Sequence, residues 1–385
     1  MTAVYRASFT ALIFLFLGMM NVQACARQAD PEIPISVAEA AEDVSLEAMI
    51  GQMMMVGFRG FEISETHWVV QDIRDRNLGG VILFDYDVPN RRAERNVQSP
   101  EQLARLVRQL QQFAETSLLV AIDQEGGRVN RLKPRFGFPD TPSHEHLGRV
   151  NHPDSTLRVA RQTGRMLAEA GININFSPVV DVNVNPQNPV IGQLGRSFSA
   201  DPAKVTEHAR LTLEGFREEG VWGTVKHFPG HGSAWNDSHY GMADVTETWT
   251  ETEFEPYRAL FADGSAQLVM SAHIFNANWH PEHPATLVPE IMTGLLRDEL
   301  GFTGLLFSDD MQMGAITDFY GLEQALELAV LAGIDVLVFA NNSVYEPEIT
   351  RKAIRTLSAA VEEGRIPRAR IEQAYSRIMA FKSPM

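Results

Sequence analysis

Cysteine is all but missing from this chain: Cys25 stands alone among 385 residues, so no disulfide can close within it whatever compartment it occupies. Basic residues are also in short supply. Lys plus Arg number 33 against 49 Asp plus Glu, a formal charge of -16. A surface of that sign repels phosphate backbones, which counts against nucleic acid as a partner. Long apolar runs are absent too: the longest, Phe9–Met20, falls well short of the roughly 20 residues that a membrane-spanning helix needs. There is no internal repeat, no low-complexity tract and no sign of a second domain. What is present is 44% hydrophobic residues, enough at this length to bury one large core.

The first 25 residues differ from the rest. Arg6 precedes the apolar run, and Asn21-Val22-Gln23-Ala24-Cys25 follows it, the layout of a signal peptide that implies export. Val22-Gln23-Ala24-Cys25 also resembles a lipoprotein signal, in which the cysteine becomes the lipidated N-terminus, although Gln23 stands where a small residue is usual. Two outcomes stay open. Plain cleavage near Ala24 or Ala26 leaves a periplasmic protein, whereas lipidation of Cys25 anchors a soluble domain to a membrane. Residues 26–45, polar and proline-bearing, read as a linker, and 46–385 as one folded domain, expected to be a monomer.

From residue 46 onward, short apolar runs alternate with longer segments of helical period, as in parallel α/β folds. Eight runs have strand character: Met53–Val56, Gly80–Phe84, Leu118–Ile122, Asn173–Phe176, Gly223–Val225, Leu268–Ser271, Gly304–Phe307 and Val336–Phe339. The helical segments are Pro100–Glu115, Ser155–Ala170, Pro202–Glu219, Glu251–Ala262, Pro289–Leu300 and Leu322–Ala332, with Pro347–Glu363 and Pro367–Phe381 closing the chain. Asp201-Pro202 has the form of a cap followed by a first-turn proline, and Gly171 and Gly220 sit where helices end. Eight such units favour a closed (β/α)₈ barrel of the TIM type over an open doubly wound sheet.

In such barrels the chemistry gathers at the carboxyl ends of the strands. Those positions are rich in ionisable groups: Asp123 to Arg131 after the third run, Asp181 and then Arg196 after the fourth, and Lys226-His227-Phe228-Pro229-Gly230-His231-Gly232 with Asp237-Ser238-His239 after the fifth. His273 follows the sixth and Asp309-Asp310 the seventh. Charge at an apolar mouth is costly unless it binds or reacts, although strand-end carboxylates also cap helices, a role that suits Asp310 better than Asp309. An aspartate two residues before a histidine can accept from one ring nitrogen and leave the other to exchange protons.

Three segments carry a family resemblance: Ala121-Ile122-Asp123-Gln124-Glu125-Gly126-Gly127-Arg128-Val129, Lys226 to Gly232 with Asp237-Ser238-His239, and Gly301 to Asp310. Together and in this order they resemble family 3 glycoside hydrolases, specifically the single-domain β-N-acetylglucosaminidases, over about Leu46 to Phe381. The resemblance implies a retaining, exo-acting β-N-acetylhexosaminidase with Asp309 as nucleophile, His239 as acid/base and Asp237 as its partner. It also implies Asp123, Arg131, Arg196, Lys226 and His227 as substrate-binding residues, a carbohydrate substrate containing N-acetylglucosamine of cell-wall or chitin type, and neither cofactor nor metal. A neutral imidazole repels an anionic acceptor less than a carboxylate would, so phosphate stays open beside water as the acceptor. One departure follows the nucleophile: Met311-Gln312-Met313-Gly314-Ala315 stands where the family often shows Leu-Ser-Met-Glu-Gly-Ala.

Two rivals use the same residues. His227, His231, Asp237, His239 and His273 could ligate the metal of a barrel hydrolase, but Phe228-Pro229-Gly230 breaks the helix that an i, i+4 histidine pair requires. A lipid-anchored sugar-binding protein would hold a sugar without cleaving it. Trp235, in the acid/base loop, is the tryptophan best placed to stack on a sugar, and Glu125 reads as a support for the Gly126-Gly127 turn.

Overall fold

The computed structural model describes residues 44–384, so the expected signal peptide, Cys25 and nearly all of the 26–45 linker lie outside the described residues. Among the described residues eleven strands occur, in chain order: β1 (Met54–Gly57), β2 (Gly80–Leu83), β3 (Leu119–Ile122), β4 (Ile174–Asn175), β5 (Trp222–Gly223), β6 (Val225–Phe228), β7 (Ala243–Asp244), β8 (Leu268–Ser271), β9 (Ile274–Phe275), β10 (Leu305–Asp310) and β11 (Val336–Phe339). β7 and β9 form a small pair of their own, and the other nine make one sheet in the order β5-β4-β3-β2-β1-β11-β10-β8-β6. Every pairing in that sheet is parallel.

The two ends of this order are the two halves of one strand. Only Thr224 separates β5 from β6, and its N–H lies 2.9 Å from the carbonyls of both Asn175 and Ser177. One half pairs with β4 and the other with β8, so the sheet closes into an eight-stranded (β/α)₈ barrel, as the alternation of runs predicts. β1, β2, β3, β6, β8 and β11 are buried at every position, as expected of strands with side chains in the barrel on one face and helices over the other.

The helices lie where the apolar period puts them. Pro100–Phe113 starts from Ser99, whose hydroxyl accepts the Gln102 N–H, and buries Leu103, Leu106, Val107 and Leu110, the spacing of one helical face. Pro202–Glu218 starts from Asp201, whose carboxylate accepts the Ala203 N–H. Gly171 and Gly220, with φ of 80° and 79°, take the left-handed conformation that ends a helix without a Cβ clash.

Other elements depart from expectation. Trp68–Arg76 was hidden because it lacks a first-turn proline and an Asp, Asn, Ser or Thr cap; His67 caps it instead, through a ring nitrogen that accepts the Val69 N–H. The short helices Leu46–Gln52 and His144–Val150 were also unforeseen. Glu251–Ala262 opens with a 3₁₀ turn, Glu251–Phe254, next to Pro256, which has no N–H to continue an α-helical ladder. Glu290–Glu299 is wound as a π-helix rather than an α-helix.

Candidate active site

The loop after β3 is folded back over the mouth by Gln124. Its side-chain carbonyl accepts the N–H groups of Arg131 and Leu132 at 3.0 and 2.9 Å, while its amide reaches Asn130 and Thr141. This return brings Arg131 beside Asp123, which directly follows the strand, at 3.3 Å. The other oxygen of Asp123 accepts from Lys226 Nζ at 2.7 Å, and Lys226 lies on β6, two strands round the barrel from β3 with β4 between them.

From Lys226 the charges continue as a chain. Its ammonium sits 2.7 Å from Glu125, which takes two parallel bonds of 2.8 Å from the Arg196 guanidinium, a geometry that fixes both partners. Arg196 also donates to the Val190 carbonyl at 2.9 Å and contacts His227 Nε2 at 3.3 Å. His227 Nδ1 lies 2.6 Å from Asp181, whose other oxygen accepts the backbone N–H groups of His227 and His231. With Nδ1–H donating to Asp181, His227 presents Nε2 as an acceptor toward Arg196, a tautomer assigned from these partners.

Burial opposes ionisation of the carboxyls in this chain, and their partners outweigh it. Lys226 and Arg131 hold Asp123 below its ordinary value, Arg196 and Lys226 hold Glu125 well below, and His227 does the same for Asp181. Glu125 therefore serves as the counter-ion of two buried cations, which corrects its reading as a support for the Gly126-Gly127 turn. Glu125→Gln leaves Lys226 and Arg196 without that charge and is expected to lower unfolding free energy by about 3–5 kcal/mol, measured by urea denaturation.

Asp309 lies near the end of β10, where the N–H of Asp310 donates to one of its oxygens at 2.8 Å. Burial pushes its carboxyl up, but the imidazoles of His273, His227 and His239 and that N–H bring it below the ordinary value. Asp310 has a different role, in which its Oδ1 accepts the N–H groups of Gln312 and Ala340 at 3.1 and 3.0 Å, tying the loop after β10 to the end of β11. It thus closes a turn rather than capping a helix, and burial pushes its pKa up to about 6.

The third group is the Asp237–His239 turn. One oxygen of Asp237 accepts both the backbone N–H of His239 at 2.9 Å and its Nδ1–H at 2.7 Å, which leaves Nε2 as the nitrogen available to a ligand. Burial would lower the His239 pKa, but the bond to Asp237 and the charges of Asp309 and Asp237 raise it above 6.5. Beneath the turn, Ser238 contacts Nε2 of His231 at 3.2 Å, an imidazole that burial holds neutral, at about 4.

Asp123, Arg131, Arg196, Lys226, His227, Asp237, His239 and Asp309 all line one cavity of about 500 Å³. Sequence reasoning missed Tyr240, which is 86% exposed and lines the same cavity beside His239; Trp235, though exposed, is not among the lining residues. It placed Asp181 beyond the fourth strand but gave it no role, because its partner His227 lies 46 residues away. The histidines of the metal-dependent rival are dispersed over separate bonds, His273 to Thr286 and the Asp310 carbonyl, His231 to Ser238, His227 to Asp181. Among the described residues no three His, Cys, Asp or Glu side chains are grouped to hold a metal ion.

A parallel barrel whose strand ends deliver carboxylates, cations and a carboxylate-held histidine to one cavity belongs to the class of (β/α)₈ hydrolases. Residues 45–381 match the glycosyl hydrolase family 3 N terminal domain, and the chain belongs to that family; it is a glycoside hydrolase. A β-hexosaminidase of Nitrosomonas eutropha is 32% identical over 332 residues, spanning 83% of this chain and 89% of that protein. Among solved structures, a family 3 β-N-acetylglucosaminidase of Paenibacillus sp. strain FPU-7 superposes with a TM-score of 0.80 at 36% identity, covering 88% of this chain and 62% of that one. The β-N-acetylhexosaminidase of Beutenbergia cavernae gives 0.77 at 29% identity, covering 88% of this chain and 99% of its own.

Proposed function

We propose that this hydrolase is a retaining, exo-acting β-N-acetylhexosaminidase that removes terminal N-acetylglucosamine from cell-wall or chitin-type oligosaccharides. The observation that carries the reading is that Asp309 and the Asp237–His239 pair line the same cavity, with His239 Nε2 free of hydrogen-bond partners among the described residues. In the first step an oxygen of Asp309 bonds to the anomeric carbon as the bond to the leaving oxygen breaks, and that oxygen takes the proton from Nε2. In the second, neutral His239 removes a proton from water, the water oxygen bonds to the same carbon, and the ester to Asp309 breaks. Two inversions return the original configuration.

Asp123, Arg131, Lys226, Arg196 and His227 suit the sugar: fixed donors and acceptors on the cavity wall bind hydroxyls and the acetamide directionally. The relatives' names support an N-acetylhexosaminide over a plain hexoside. The layout of residues 1–25 supports export, as a periplasmic enzyme or one tethered through lipidated Cys25, and hence a substrate met outside the cytoplasm. Purified enzyme given aryl N-acetylglucosaminide and aryl glucoside side by side is expected to cleave the first far faster. Faster glucoside cleavage would overturn the substrate assignment.

A further inference from the structure

The turn that carries His239 is seated on the segment directly behind Asp309. The carbonyls of Ser238 and His239 accept the N–H groups of Ala315 and Gly314, each at 3.1 Å. Those donors open the short helix Gly314–Thr317, the first element after β10. The Asp309 strand and the Asp237–Tyr240 turn are thus joined by two adjacent main-chain bonds, while Ser238 pins the turn from below through His231.

The join is tightest at Gly314. A Cβ built there would lie 2.9 Å from the His239 carbonyl oxygen, 3.1 Å from the Gly241 nitrogen and 3.1 Å from the Tyr240 carbonyl carbon, all backbone atoms that no side-chain rotation can move aside. The helical backbone of Gly314 accepts any ordinary residue, so it is the neighbouring turn that requires the missing side chain.

We propose that Gly314 is a positioning residue for catalysis: the space left by its absent side chain seats the acid/base turn against the nucleophile strand and sets the reach of His239 Nε2 to the leaving oxygen. The inference rests on His239 as the acid/base. It makes the distance between the two reacting groups a property of one local contact rather than of two loops that approach the substrate separately. Displacement of a reacting group by about 1 Å can cost roughly a hundredfold in rate, so a shift of a few tenths of an ångström should be readable.

The test is Gly314→Ala, compared with His239→Ala and the unaltered enzyme on N-acetylglucosaminides with a sugar leaving group and with a dinitrophenyl leaving group. The dinitrophenolate departs without a proton and the sugar does not. Gly314→Ala is expected to lose about tenfold or more in kcat/KM on the sugar-leaving substrate and less than about threefold on the activated one, a smaller copy of the pattern expected when the acid is deleted. Formation of a covalent adduct from a fluorinated N-acetylglucosaminyl fluoride, which requires a folded cavity but no acid, is expected to proceed as in the unaltered enzyme and guards against misfolding. Equal losses on both substrates, or no loss on either, overturn the proposal. Should His239→Ala itself fail to discriminate between the leaving groups, the assignment of the acid falls, a result distinct from Gly314→Ala alone failing to do so.

Discussion

Replacing Asp309 by alanine is expected to reduce kcat by about four orders of magnitude or more, because the first bond to the anomeric carbon then has no protein atom to form it. The ion-paired chain from Arg131 to Asp181 makes no bond to the Asp309 side chain, so sugar binding, measured by calorimetry with the product monosaccharide, should persist. In the unaltered enzyme a slow fluorinated substrate should add the mass of one sugar, and peptide mapping should locate it on Asp309. An adduct on Asp310 would reassign the nucleophile, although Asp310 spends its Oδ1 on two backbone N–H groups of neighbouring loops. No adduct on any residue would overturn the covalent, retaining mechanism.

His239→Ala has the second largest expected effect, and its size depends on the leaving group. Removing a general acid costs about 10²–10⁴-fold where the departing oxygen needs a proton and little where it does not. The pH profile gives an independent reading. Productive attack requires Asp309 ionised and His239 protonated, so kcat/KM should be bell-shaped. The carboxyl of Asp309 is held below 3.8, which places the acid limb low. The imidazole of His239 is held above 6.5 by Asp237 and Asp309, which places the alkaline limb above that value. The variant should lose the alkaline limb, and Asp237→Asn should move it to lower pH because the bond that raises His239 is weakened. A profile unchanged by both substitutions would remove His239 from the reaction.

The barrel was legible because two local signals agree at each unit. An apolar run such as Leu118–Ile122 can be buried on both faces only in a covered parallel sheet, and a capped, proline-led segment such as Pro100–Phe113 supplies the cover. Trp68–Arg76 was not legible because its cap is a histidine, and the π-winding of Glu290–Glu299 left no mark in spacing that suits an α-helix equally well.

The site divides along similar lines. Asp123 and Asp309 could be found because each sits at or just beyond the end of a strand, Lys226 and His227 because they directly follow the apolar run Gly223–Val225, and the partnership of Asp237 with His239 because both belong to one turn. The partnership of Glu125 with Arg196 spans 71 positions in the chain, and that of Asp181 with His227 spans 46. No spacing rule reaches across such intervals; only closure of the barrel brings these groups within bonding distance. Gly314 is a further case, since a glycine at a helix start is unremarkable until the neighbour that fills its empty side is known.

The strand from Trp222 to Phe228 has a consequence for how the enzyme fails. It is paired with β4 on one side and β8 on the other and also presents Lys226 and His227, so any excursion that frees it from its neighbours pulls those two residues away from Asp123 and Asp181 at once. Inactivation on heating should therefore coincide with loss of the cylinder itself, with no opened yet competent form between them.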